Sequence, residues 1–193
     1  MKIIEIENAV PRLYQDQVEL EATSDGIPWF FHEESARVNA GFATSYCGFS
    51  HLAYHAREPV ASATGASLIP MLFMFCDKAH LELDAILRIR MGLFTKNDPG
   101  ALHHNPHIDF VEPHHTAVYY VNDCDGDTFI FNETLDDVSQ EQAPSHAAQG
   151  KFTIARRISP QKGKMVCFDG RHYHASMHPT QSAVRIAITF NFK

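Results

Sequence analysis

The feature that most constrains this chain is a change of hydrophobic period near Asp84. Before it, two stretches read as helix. Pro11 to Ala22 is entered at a proline, and Leu68 to about Leu83 is apolar on much of its circumference, with Pro70 in its first turn. Gly26 to Phe31 reads as a turn and a short strand, with Trp29, Phe30 and Phe31 as core. From Ala85 to Thr95 the pattern suggests a strand, although the periodicity also admits a helix. After that come short runs rich in Val, Ile, Phe, Thr and Tyr. They are Thr116 to Val121, Thr128 to Phe131, Phe152 to Ile158, Lys164 to Phe168 and Val184 to Phe192. Turn residues at 122–126, 149–150, 160–163 and 169–170 separate them. Close-spaced strands of this kind predict a mostly β fold: a double-stranded β-helix, or jelly roll, with N-terminal helices packed on one sheet. The chain's 193 residues suit a single domain over 1–193. Residues 1–83 would form a mixed helical and strand support, and 84–193 the jelly-roll core.

Histidine is the compositional anomaly. There are 13, against 16 lysines and arginines, and nine of them lie between His103 and His178. One cluster contains His107-Ile-Asp109. On extended backbone, residues i and i+2 share a side, so His107 and Asp109 can grip one ion together. A second cluster, Gly170 to His178, offers a third ligand in His172, His174 or His178. Two histidines and one carboxylate occupy one face of an octahedral metal and suit non-haem Fe(II). The plainer alternative is that His107 and Asp109 make turn hydrogen bonds in a loop.

The last strand adds a second constraint. Val184, Ile186, Ile188 and Phe190 form one apolar face, and Arg185, Ala187, Thr189 and Asn191 form the other. Small and polar residues with one arginine suit the inside of a ligand-holding barrel, where Arg185 needs an anion such as a dicarboxylate. The same face on an edge strand would simply be solvated.

The order H-x-D, tyrosine-rich strand, distal histidine, arginine eleven residues later resembles the Fe(II)- and 2-oxoglutarate-dependent oxygenases. It is most similar to their prolyl-4-hydroxylase-like branch, including small phage and bacterial members. The matching segments are 106–110, 116–123, 125–131, 159–170, 174–176 and 185–190. That resemblance implies His107, Asp109 and His174 as iron ligands, with His172 the competitor for the distal position. It implies Arg185 as the anchor for the far carboxylate of 2-oxoglutarate, with Tyr120 beside it and Asn105 lining the same pocket. Many prolyl-hydroxylase relatives carry lysine where Arg185 stands. Thr116, Val118 and Tyr120 would point inward, and Tyr119 into the apolar layer. The implied cofactors are Fe(II), 2-oxoglutarate as co-substrate and O2, with ascorbate as an auxiliary reductant. The implied reaction hydroxylates an unactivated C–H bond, on a peptidyl prolyl, another protein side chain or a small molecule, releasing succinate and CO2.

Two rival readings keep the fold and change the chemistry: a non-redox, cupin-like metal-binding jelly roll, and a metal-dependent hydrolase. Neither requires Arg185 to face inward beside Tyr120. His103, His104, His114 and His115 flank the site as outer donors or loop residues, while His32, His51, His55, His80 and His146 have no assignment. The net charge of −7 disfavours a nucleic-acid partner. Four spaced cysteines without a CxxC pair, no signal-peptide pattern and no apolar run of membrane length predict a cytoplasmic protein with no membrane partner. Oligomeric state has no signature in the sequence.

Overall fold

A computed structural model describes residues 2–33, 47–58, 60, 62–97 and 102–193. Among the described residues, ten strands form two sheets. The larger contains β1 (Ile4–Ile6), β2 (Phe30–His32), β3 (Gly48–His55), β4 (Ile86–Thr95), β5 (His115–Tyr120), β8 (Met165–Asp169) and β10 (Val184–Phe192). Its spatial order is β1-β8-β5-β10-β4-β3-β2, and every pairing is antiparallel. The smaller contains β6 (Thr128–Thr134), β7 (Ile154–Ile158) and β9 (His172–Ser176), in the order β7-β6-β9. The described part of the first 83 residues thus contributes three strands to the same sheet as β10.

Helices α1 (Arg12–Thr23) and α2 (Thr64–Ala79) pack on the outer face of the larger sheet. There Val18, Leu68, Met71, Leu72 and Phe75 meet Ile89, Met91, Tyr119, Ile186, Ile188 and Phe190. Each such side chain contributes about 1.5–3 kcal/mol on burial, which pins the sheet's register to the helices. Tyr119 points into this layer, as its alternation with Tyr120 requires. α2 begins earlier than its composition suggests, so Pro70 falls in the second turn. The carbonyl freed by its missing N–H belongs to Ala66, an exposed residue where water can bond it.

On the inner face, Val118, Tyr120, Val166, Phe168 and Ala187 pack against Ile130 and Ile158 of the smaller sheet. The smaller sheet's outer face is covered by Ile108, Val138 and Ala143. Ala143 opens α3 (Ala143–Ala148), a short helix in a stretch that carries no periodic signal. Phe30 and Phe31 are corrections to the expected core: they are 60% and 58% exposed. β2 is the outermost strand, so side chains on both of its faces lack neighbours on one side, and Phe31 stacks edge-on against Phe49. Trp29 does pack at the margin of the core. All four cysteines are free. Among the described residues, no helix is long and apolar enough to cross a membrane.

Candidate metal centre

A cavity of about 100 Å³ opens between the two sheets, and the sequence pattern of β10 explains its floor. Arg185, Ala187 and Thr189 line it, while Val184, Ile186 and Ile188 are held in the helix layer. At one end stand His107, Asp109 and His174, whose ligand-type atoms all lie within 4.8 Å of one another. Among the described residues this is the only such group.

Three elements converge to make it. β9 carries His174 at its centre, opposite Ile130 of β6. The segment before β5 forms a single antiparallel bridge between His107 and His174, with both main-chain bonds made, at 3.0 and 2.9 Å. The rings of the two histidines are therefore neighbours, with centroids 4.6 Å apart. Asp109 follows two residues later and faces the His174 Nε2 across 3.8 Å.

Hydrogen bonds settle which ring nitrogens are available. His107 Nδ1 lies 3.2 Å from the carbonyl of Asn105, and His174 Nδ1 lies 3.1 Å from that of His172. A carbonyl only accepts, so each Nδ1 carries the hydrogen and each Nε2 presents a lone pair. Burial holds both rings neutral. It lowers His107, and it lowers His174 to about 4, with the neighbouring His107 adding to the effect. Burial alone would raise the Asp109 carboxyl, but Arg88 foremost, then both histidines and Asn191, hold it well below the usual carboxylate range. The set is two neutral imidazoles and one carboxylate, ready to accept a divalent ion.

Asp109 is gripped from behind. Arg88 on β4 pairs with its Oδ1 at 2.5 Å, and Asn191 Nδ2 donates to its Oδ2 at 2.9 Å. Arg88 Nε also donates to Asn191 Oδ1 at 3.1 Å, and Asn191 Nδ2 reaches Thr116 Oγ1 at 3.1 Å. Sequence reasoning placed Asn191 on the inward face without a role and did not use Arg88. The available signal was the alternation Arg88-Ile89-Arg90-Met91, which sets two cations opposite an apolar face.

Arg185 occupies the other end, 4% exposed. Its Nε donates to the Gly126 carbonyl at 2.7 Å and its terminal nitrogen to Thr128 Oγ1 at 2.9 Å. No carboxylate among the described residues lies within ion-pair distance of it. Tyr120 stands behind rather than in the cavity: its hydroxyl donates to the same Thr128 oxygen at 2.9 Å, and its ring centroid lies 5.8 Å from the guanidinium. Asn105 departs from its expected place. It does not line the cavity, and its contribution is the carbonyl that orients His107. His172 lies outside the cluster because its ring is bound to the Phe131 carbonyl at 3.0 Å. His104 does line the cavity, while His114 lies outside it, bonded to the Glu112 carbonyl and to Thr116.

The family model described as the 2OG-Fe(II) oxygenase superfamily matches residues 94–193, slightly more than half of the chain. The chain belongs to that superfamily. Its fold agrees. A 2OG-Fe(II) oxygenase-family oxidoreductase from Burkholderia pseudomallei is similar at a TM-score of 0.65 and 11% identity, over 99% of this chain and 85% of that one. A Pseudomonas putida prolyl-4-hydroxylase gives 0.55 and 12%, over 99% and 91%. A Trichoplax adhaerens prolyl hydroxylase, in complex with a hypoxia-inducible-factor peptide fragment, gives 0.58 and 14%, over 98% and 82%. No curated protein sequence matches the chain. The enzyme is thus an oxygenase of the class that uses Fe(II), 2-oxoglutarate and O2. The donor set of this oxygenase fits that iron: three ligand atoms, two of them neutral nitrogens, on one side of an otherwise open cavity.

Proposed function

We propose that this chain is one catalytic domain that hydroxylates an unactivated C–H bond of a peptide or small molecule. In this reading His107 and His174 hold iron through Nε2 and Asp109 through its carboxylate. Arg185 receives the far carboxylate of 2-oxoglutarate, and Thr128 and Tyr120 fix its orientation. When bound, iron and co-substrate supply the oxidant that removes the substrate hydrogen.

The protein's own residues do the rest. The carbonyls of Asn105 and His172 keep both imidazoles in one tautomer and one ring orientation. Arg88 and Asn191 keep the Asp109 carboxylate ionised and fixed in direction. The Val118 and Ala187 side chains keep the space between the two ends apolar and narrow. A buried guanidinium with no carboxylate partner among the described residues is the observation that carries the proposal. It leaves a cation at a fixed end of the cavity, opposite the histidine pair, where a dicarboxylate chelating the metal would extend. A non-redox metal-binding jelly roll or a hydrolase would need no such anchor.

The substrate is proposed as a peptidyl prolyl or a comparable C–H bond. Similarity of fold to the two prolyl hydroxylases supports this. The test is anaerobic titration with Fe(II) and 2-oxoglutarate, read by the weak visible charge-transfer band of the chelate. It should appear in wild type and vanish in His174→Ala and Asp109→Ala. Succinate release is then screened with proline-containing peptides and small acids. No band and no succinate with any substrate would overturn the reading.

A further inference from the structure

Arg90 is unaccounted for by iron and co-substrate. It sits two residues from Arg88 on β4, on the same inward face, and lines the same cavity. Arg88 is paired with Asp109 and donates to Asn191. Arg90, half-buried, makes no ion pair or side-chain hydrogen bond among the described residues. It lies opposite Thr189 in the register, one inward row from the Arg88–Asn191 pair and so at the metal end. Arg185 lies opposite Phe94, at the far end. The next inward position, Gly92, lies opposite Ala187 on the way to Arg185, and a side chain there would meet nothing within 4 Å.

We infer that Arg90 is the docking point for an oxyanion carried by the substrate, so that this oxygenase prefers peptides or small molecules with a carboxylate or similar group near the hydroxylated carbon. The inference rests on the proposed function above. Charge supports it. The divalent ion and the co-substrate dianion cancel, and Asp109 cancels Arg88. Among the described residues, Arg185 and Arg90 are then left without a compensating carboxylate in the same small cavity. Arg185 already has a direct use for its charge, in the far carboxylate. Arg90 has none until a further anion enters. An unpaired guanidinium half out of water is unfavourable, and a carboxylate or similar oxyanion held by two parallel N–H bonds removes that cost. Held there, it would set which carbon of the substrate lies nearest the oxidant.

The experiment uses the full chain loaded with Mn(II) and saturating 2-oxoglutarate, without turnover. Trifluoroacetate is the oxyanion probe and trifluoroethanol its neutral counterpart. Paramagnetic relaxation of the fluorine signal reports binding close to the metal. Wild type should relax trifluoroacetate strongly and trifluoroethanol weakly. Arg90→Gln should lower the trifluoroacetate effect by about tenfold or more, with Arg90→Lys intermediate. Calorimetry should find 2-oxoglutarate affinity in Arg90→Gln within threefold of wild type, which also shows that the variant folds. An unchanged trifluoroacetate effect in Arg90→Gln overturns the inference. So does a loss of 2-oxoglutarate affinity as large as that of Arg185→Gln, which would assign Arg90 to the co-substrate. Wild type that takes up Mn(II) but no 2-oxoglutarate would instead overturn the proposed function, and this inference with it.

Discussion

Asn191→Leu tests whether the carboxylate's supports matter as much as the ligands themselves. Asn191 has no solvent exposure and makes three side-chain bonds. It donates to Asp109 Oδ2 and Thr116 Oγ1, and it accepts from Arg88 Nε. Leucine keeps the branch at Cγ and removes the polar atoms, and it is the larger side chain, so some overpacking accompanies the loss of polarity. Asp109 loses a donor on the oxygen that faces His174, and Arg88 Nε loses its acceptor. A hydrogen bond to a charged group contributes about 1.5–3 kcal/mol, and outer supports of metal ligands typically carry 10- to 100-fold in affinity. Both ranges point to a fall of about 10- to 100-fold in Mn(II) affinity, measured by anaerobic calorimetry. Stability should also fall, because a buried donor left unpaired costs about 1–3 kcal/mol. At this chain length that is a drop of several degrees in Tm, with folding retained. Arg185→Gln is the control, since it touches none of these three bonds. If Asn191→Leu binds Mn(II) within threefold of wild type, the carboxylate is held by Arg88 alone and the reasoning fails.

Three further outcomes are expected. Arg185→Gln should weaken 2-oxoglutarate by about 10- to 100-fold while leaving Mn(II) affinity within threefold, because only the far anchor is lost; equal loss of both would count against the assignment. Gly126→Ala should act on the same step from a distance. Its new Cβ would lie 2.9 Å from Arg185 Cδ and 2.8 Å from the Met177 carbonyl, so calorimetry should register weaker 2-oxoglutarate, and unaltered binding would refute the steric account. The metal-free protein should lose stability as pH falls. His174 titrates near 4 when folded and near 6.5 when unfolded, so its contribution is full above 6.5 and lost as pH drops toward 4. Urea midpoints across that window should slope less steeply in His174→Gln, and an unchanged slope would exclude His174 as a source.

What the sequence made legible was the part written in alternation. The inward and outward faces of β10 and β5 follow from period two alone, and so does the pairing of His107 with Asp109. Asn105 was misplaced because nothing in a sequence says whether a loop residue contributes its side chain or its carbonyl. Phe30 and Phe31 were misread because composition cannot tell an edge strand from a central one. β9 escaped notice because its residues, His172 to Ser176, are mostly polar, and a strand lining a polar cavity lacks the apolar signal. His174 was preferred over His172 only through the family resemblance; the physical reason, the His172 ring bound to the Phe131 carbonyl, is a long-range contact. Arg88 shows the same limit: its value lies in a partner 21 residues later in the chain, which only the packing of the segment before β5 reveals.

The geometry of the whole cavity is carried by β10. Asn191 near its end braces the Asp109 carboxylate, Thr189 and Ala187 form the floor, and Arg185 near its start sets a guanidinium at the opposite end. These residues keep fixed spacings because they share one strand and one face. The strand itself is held by its other face, where Ile186, Ile188 and Phe190 are buried under α1 and α2. A slip of one residue would turn Arg185 and Asn191 into the helix layer and carry three apolar side chains into the cavity. The apolar packing that makes the slip unfavourable is therefore also what separates the metal end from the anchor end. Recognition of a dicarboxylate of one length is, on this view, a property of strand register. A shorter or longer diacid should bind less well even though Arg185 and the metal remain in place. Malonate- and adipate-length 2-oxo acids, titrated against the Mn(II) protein, should each bind at least about tenfold more weakly than 2-oxoglutarate, since each forfeits one charge-assisted contact. Equal affinity across the three lengths would mean that Arg185 is free to move, contrary to its bonds to Gly126 and Thr128.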